Sequence, residues 1–181
     1  MTEPGRIDVW DRPVRLLHWV LAAAVLLAWL TTLVAFGAHQ PAGWVALAAV
    51  VLRMAWGATG GRYARFAQFV RTPRVTFAYL RALLRQREPR YIGHNPLGGW
   101  MVVMFMLVVA SLALTGWLYT TERFWGDERV EQLHRALAWG LLGLVALHVA
   151  GVAYTSWRHR ENLVRAMLSG RKNAAAKDDV A

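Results

Sequence analysis

The sequence contains no cysteine. That absence removes disulfides, thiolate zinc sites, iron–sulfur clusters and the C-x-x-C-H attachment of covalent haem. Charge is scarce too: 18% of the 181 residues are Asp, Glu, Lys or Arg, against 56% hydrophobic. Soluble domains carry about a quarter charged residues, so this balance excludes disorder and points to a membrane class. Acidic residues are the rarer sign, 11 against 21 Lys and Arg, for a formal charge of +10. In a soluble protein such an excess reads first as a nucleic-acid footprint, and the location of the charges decides whether it is one.

No Asp, Glu, Lys or Arg occurs from Leu16 to Leu52, and Gly37, Gln40, Pro41 and Gly43 interrupt that run with turn chemistry. The pattern predicts two spanning helices, over residues 14–36 and 43–57. The first exceeds the roughly 20 apolar residues that cross the hydrocarbon core. The second is short, with Trp44 and Trp56 as interfacial ends. A charge-free stretch from Tyr91 to Thr121 predicts a third helix over 97–119, and another between Arg135 and Arg158 predicts a fourth over 130–157. Asp8, Asp11 and Pro13 precede the first helix and no small-residue cleavage pattern follows it, which sets it apart from a cleaved signal peptide. The fold class expected is an all-α integral membrane protein: one domain over residues 1–173 with a four-transmembrane-helix bundle, and a flexible polar tail over 174–181.

The charges then sort by side. All Lys and Arg except Arg123, Arg129 and Arg135 lie before or at the start of the first helix, from the end of the second to the start of the third, or after the fourth. By the positive-inside rule both termini and the middle loop are cytoplasmic, and the basic excess is a topology signal, with no nucleic acid expected. The location expected is a membrane, with these basic segments on its cytoplasmic face. In the middle loop, Thr72-Pro73 opens an amphipathic interfacial helix over 73–87, with Phe77, Leu80, Leu83 and Leu84 on one face and arginine on the other. A short helix from Glu161 to Leu168, closed by Gly170, is expected after the fourth span.

Six histidines occur, and four stand at membrane depth or at helix ends: His18, His39, His134 and His148. An ionisable side chain there is costly and is a functional hypothesis by default. His134 and His148 are fourteen residues apart, so on one helix they differ by about −40° around the axis and about 21 Å along it. Both face the same interior, one near each leaflet. His18 shares the cytoplasmic level with His148, and His39 the outer level with His134, which gives two stacked pairs. Two neutral imidazoles from facing helices, in an apolar setting without thiolates, are the ligation expected of a non-covalent b-type haem. Zinc would be left short of donors by two histidines alone.

Several strings resemble the bacterial cytochrome b561 family, related to the cytochrome b subunits of nickel–iron hydrogenases. They are Val9-Trp10-Asp11-Arg12-Pro13-Val14-Arg15-Leu16-Leu17-His18-Trp19, the His39-x-x-x-Gly43 step with Arg53, Gly61-Arg62-Tyr63-Ala64-Arg65-Phe66, Gly93-His94-Asn95-Pro96-Leu97-Gly98, Leu133-His134 and Leu147-His148-Val149-Ala150-Gly151. The resemblance implies a four-helix cytochrome with two b-type haems ligated by His18, His39, His134 and His148. It also implies electron transfer between the quinone pool and a redox partner protein such as a cytochrome c or a dehydrogenase subunit, and a homodimer is among the assemblies the sequence allows. An alternative from the same resemblance is a superoxide:quinone oxidoreductase that acts without a protein partner.

Other residues have two readings each. His94 is either a propionate, quinone or proton contact or part of an Asn-Pro turn. Arg53 either pairs with a haem propionate or snorkels to headgroups. His159, between Arg158 and Arg160, is expected to be solvated.

Overall fold

A computed structural model describes residues 5–34 and 36–180. In chain order they form β1 (Arg6–Asp8), α1 (Arg12–Val34), a 3-10 turn (Phe36–Ala38), α2 (His39–Thr59), a second 3-10 turn (Arg62–Ala64), α3 (Phe66–Phe69), α4 (Pro73–Leu84), α5 (Pro96–Tyr119), α6 (Glu128–Arg158), α7 (Leu163–Ser169) and β2 (Arg171–Asn173). Among the described residues, α1, α2, α5 and α6 are long and apolar enough to cross a membrane. Much of their apolar surface is not packed into protein: Leu16, Leu26, Leu33, Leu107 and Leu147 are all more than half exposed. Helix surfaces of this kind suit hydrocarbon rather than water.

The spanning helices begin slightly earlier than the apolar runs, because polar residues ahead of each run cap it. Asp11 Oδ1 accepts from the Val14 N–H at 2.9 Å, and Asn95 Oδ1 from the Gly98 N–H at 2.7 Å with Pro96 opening the helix. Asp127 Oδ1 accepts from the Arg129 and Val130 N–H groups at 2.8 and 3.2 Å, and Glu128 and Glu131 add negative charge at the positive end of α6. The largest difference is at α2. Gln40, Pro41 and Gly43, expected in a turn, lie inside the helix, where Pro41 is tolerated because first-turn N–H groups have no intrahelical acceptor. The first helix is expected to reach residue 36; α1 is described to Val34, residue 35 lies outside the described residues, and Phe36 opens the 3-10 turn.

The chain forms two compact units, one of residues 1–15, 56–103 and 147–181, the other of residues 16–55 and 104–146. The first holds the basic connections. There β1 pairs antiparallel with β2, Arg6 opposite Asn173 and Asp8 opposite Arg171. Gly170 makes the junction: its φ of 84° ends α7, its carbonyl accepts from the Val9 and Trp10 N–H groups at 2.9 and 3.0 Å, and a Cβ there would fall 2.6 Å from the Trp10 carbonyl oxygen. Asp11 serves twice, since its Oδ2 accepts from the Trp56 indole N–H at 2.9 Å.

A buried ionic cluster closes this unit. Glu161 accepts from Arg90 at 2.8 Å and from the Asn173 N–H at 2.8 Å, and pairs with Lys172 at 3.2 Å, while Arg90 also pairs with Asp179. Burial by itself would raise the Glu161 carboxyl, but the Arg90 hydrogen bond and the Lys172 charge hold it below the ordinary value. Lys172 is shifted down, because its burial outweighs the attraction of Glu161. Residues after Asn173, expected as a free polar tail, run back along residues 90–92: Val180 donates to the Arg90 carbonyl and its own carbonyl accepts from Ile92, both at 2.9 Å.

Two expectations change in this unit. On α4 Tyr79 is turned inward, its ring meeting Tyr91 at 5.5 Å; Phe77 and Leu84 are exposed, as an interfacial helix requires, but the helix ends at Leu84 rather than residue 87 and Arg74 and Arg81 stand beside rather than opposite them. Burial first, and then the nearby Glu88 charge, raise the Tyr79 phenol. The helix stops at Leu84 because the chain turns at Gln86, where φ is 55°. His159 is half-buried rather than solvated, and that burial pushes its imidazole below the ordinary value.

Candidate functional site

The unit of residues 16–55 and 104–146 contains segments of all four spanning helices. Trp29 of α1 meets Trp139 of α6 edge to face at 5.3 Å between ring centroids. His39 stands at the first position of α2 and His134 two turns into α6. Their imidazole centroids lie 6.1 Å apart, with the ring planes at 68°. Two metal–imidazole bonds of about 2 Å set in line, with the ring radii added, amount to roughly 6 Å between centroids. The spacing leaves room for a metal ion that both imidazoles could hold.

The hydrogen bonds of the two rings settle which nitrogen is left for a metal. His39 Nδ1 lies 2.9 Å from the Ala28 carbonyl oxygen. A carbonyl only accepts, so Nδ1 carries the proton and the Nε2 lone pair remains. His134 Nδ1 lies 2.9 Å from Thr115 Oγ1. The Thr115 hydroxyl spends its single proton on its own helix, where Oγ1 is 2.9 Å from the Ser111 carbonyl and 3.1 Å from that of Leu112. Its lone pairs therefore accept from His134 Nδ1–H, and His134 too presents Nε2. Gly116 leaves room for this ring: a Cβ there would stand 3.3 Å from His134 Cε1.

Nowhere among the described residues do three or more His, Cys, Asp or Glu side chains converge as a metal site. The donor set is thus two imidazoles, too few for a tetrahedral ion but sufficient for an iron whose other four positions a porphyrin fills. The residues fit the group.

His18 lies on α1 and His148 on α6, both half-buried, and they belong to different units. His18 meets the neighbouring Trp19 ring edge to face at 5.2 Å. His94 packs between Trp10 and Phe69, with centroids 4.7 and 4.4 Å away, and Asn95 after it caps α5. Arg53 is only 8% exposed, so its side chain is turned into the protein rather than snorkelled to headgroups. The residues missed in the sequence are Thr115 and the Ala28–Thr31 turn, where the Thr31 hydroxyl shares the Ala28 carbonyl at 3.0 Å. A hydroxyl in an otherwise apolar span was the available signal.

Four membrane-length helices and a facing pair of Nε2-presenting imidazoles define the class: a membrane cytochrome that holds haem without covalent attachment. The family model of prokaryotic cytochrome b561 matches residues 9–170. The chain belongs to that family, and it is a multi-pass b-type cytochrome of membrane electron transfer. Curated relatives carry the name probable Ni/Fe-hydrogenase B-type cytochrome subunit. The one from Rhodobacter capsulatus is 25% identical, covering 96% of this chain and 83% of the relative. That from Cupriavidus necator is 26% identical over 90% of this chain and 85% of the relative, and that from Azotobacter vinelandii 25% identical over 91% and 87%.

Proposed function

We propose that the protein is a di-haem cytochrome that carries single electrons across a bacterial cytoplasmic membrane, between the quinone pool and a redox partner protein. His39 and His134 hold the haem of the outer leaflet, and His18 and His148 hold the haem of the cytoplasmic leaflet. The observation that carries this reading is the 6.1 Å separation of two imidazoles whose Nδ1 atoms are already engaged. When bound, each haem supplies a one-electron ferric/ferrous couple. The chain's own residues do the rest. The four imidazoles would hold the haems, and the Nδ1 contacts of His39 and His134 keep those two rings with Nε2 available. The apolar helices keep water from the iron, and bis-histidine ligation leaves no position for dioxygen. The buried guanidinium of Arg53 is suited to a haem carboxylate.

The names of the relatives make a nickel–iron hydrogenase a fitting partner class for this chain. Both termini and the residues 60–95 connection face the cytoplasm, where Arg74 and Arg81 of α4 meet anionic headgroups with Phe77 and Leu84 inserted beside them. The superoxide-oxidising alternative calls for a cationic approach to the outer haem. The charges there are mixed, Glu122, Asp127, Glu128 and Glu131 alongside Arg123, Arg129 and Arg135, which makes no clustered basic surface.

The test is a reduced-minus-oxidised spectrum with haem quantified per chain. About two b-type haems are expected in the purified protein. His39→Leu and His134→Leu each remove one spectral component, and His18→Leu and His148→Leu each remove the other. Full haem content in all four variants refutes the ligand assignment.

A further inference from the structure

We infer that Thr115 is a positioning residue for electron transfer, one that fixes the tautomer of His134 and through it sets the ferric/ferrous balance of the outer haem. This inference rests on the assignment of His134 as an axial ligand. Thr115 acts through the imidazole.

A threonine that bonds back to its own helix is common in membrane spans and by itself signals nothing. The case of Thr115 is different because its oxygen has a second partner. Thr115 is 5% exposed, its proton is directed to Ser111 and Leu112, and its remaining lone pairs lie 2.9 Å from His134 Nδ1 on another helix. One oxygen thus ties α5 to α6 and orients a ligand. Gly116 completes the arrangement, since a Cβ there would stand 3.3 Å from His134 Cε1 and press on the ring.

The electronic consequence follows from the direction of the bond. A buried acceptor on Nδ1–H draws the proton outward, makes the ring more basic and favours the ferric over the ferrous ion. His39 receives the same treatment from the Ala28 backbone carbonyl, which no side-chain replacement deletes. His134 has a hydroxyl beside it as well as a backbone hydrogen bond with Leu112, so in this half of the site part of the acceptor set is open to sequence change.

Thr115→Val keeps the shape and removes the side-chain acceptor, leaving the backbone hydrogen bond with Leu112. In the holoprotein, a potentiometric titration followed at the b-haem bands resolves a one-electron step for each haem. With Thr115→Val, one step moves to more positive potential by roughly fivefold to tenfold in the ferric/ferrous ratio, equivalent to about 40–60 mV. The other step stays in place. Thr115→Ser restores the wild-type value, because it keeps the oxygen and loses only the methyl. Where Thr115→Val does not accumulate in membranes, Thr115→Cys carries the test: its weaker sulfur acceptor gives a smaller shift in the same direction. Steps unmoved in Thr115→Val or Thr115→Cys, or a Thr115→Ser shift as large as that of valine, overturn the inference. His134→Leu separates the two claims. Loss of one haem there, with the valine variant unmoved, refutes the role of Thr115 alone, and full haem content in His134→Leu refutes the ligand assignment beneath it.

Discussion

Gly116 gives a graded test of the geometry around His134 that is separable from folding. A Cβ on this residue would lie 3.3 Å from His134 Cε1 and 3.7 Å from Nδ1. Carbon atoms rest at about 3.5–4.0 Å, so Gly116→Ala displaces the imidazole by about 0.3 Å. In a helix interior alanine is better than glycine by about 1 kcal/mol, so the polypeptide is no less stable for the change. Gly116→Val adds two methyl groups in the direction of the ring. Overpacking of this kind costs about 1–3 kcal/mol. Taken from the cofactor's binding energy, that is roughly a fivefold to hundredfold loss of haem affinity. The assay is the haem-to-protein ratio after detergent extraction, alongside thermal unfolding of the same samples. The expected series is near-wild-type haem content in alanine, depletion of one haem in valine, and unfolding temperatures that do not fall in alanine. A valine variant with full haem and an unaltered spectrum refutes the placement of the ligand ring against α5.

Other expectations concern the unit that carries the termini. Asp11→Ala removes the cap of α1, worth about 1 kcal/mol, and leaves the Trp56 indole N–H without its acceptor, worth about 1–3 kcal/mol; thermal unfolding in detergent reads the combined loss, and an unchanged curve contradicts the double role of Asp11. The Glu161 carboxyl is held below its ordinary 4.5, so its contribution to stability is present above about pH 4.5 and is lost as pH falls through the lower folded value. Hydrogen exchange of residues 171–173 then speeds up across that acid window in the wild type, and Glu161→Gln shows fast exchange at neutral pH already; identical profiles in the two proteins contradict the cluster's role. The absence of cysteine provides a clean background for topology. Glu122→Cys should react with an impermeant maleimide from outside intact cells, and Ala175→Cys only after permeabilisation, with the reverse pattern disproving the cytoplasmic placement of the termini.

The spans were legible because a membrane imposes a local requirement: about twenty residues without charge. The equal facing of His134 and His148 was legible for a similar reason, since helical periodicity depends on nothing outside α6. The start of α2 was not, because Pro41 and Gly43 read as breakers until their place in the first turns is known. On α4, composition identified an amphipathic helix but not its rotation. Tyr79 faces inward because Tyr91, twelve residues away in the chain, supplies a ring to pack against.

By itself the sequence pointed to the class of protein: spans from apolar length, and haem-type chemistry from histidine without cysteine, with the distribution of arginine giving an expected sidedness. Only the tertiary structure decided the finer chemistry. Glu161 gathers Arg90 and Lys172 from separate connections, and the acceptor for His134 comes from a helix nineteen residues earlier in the chain. The physical reason is range. Hydrophobic length and helical period are properties of one segment, whereas a hydrogen bond of 2.9 Å exists only after two helices have packed at a particular rotation, and no local pattern encodes that rotation.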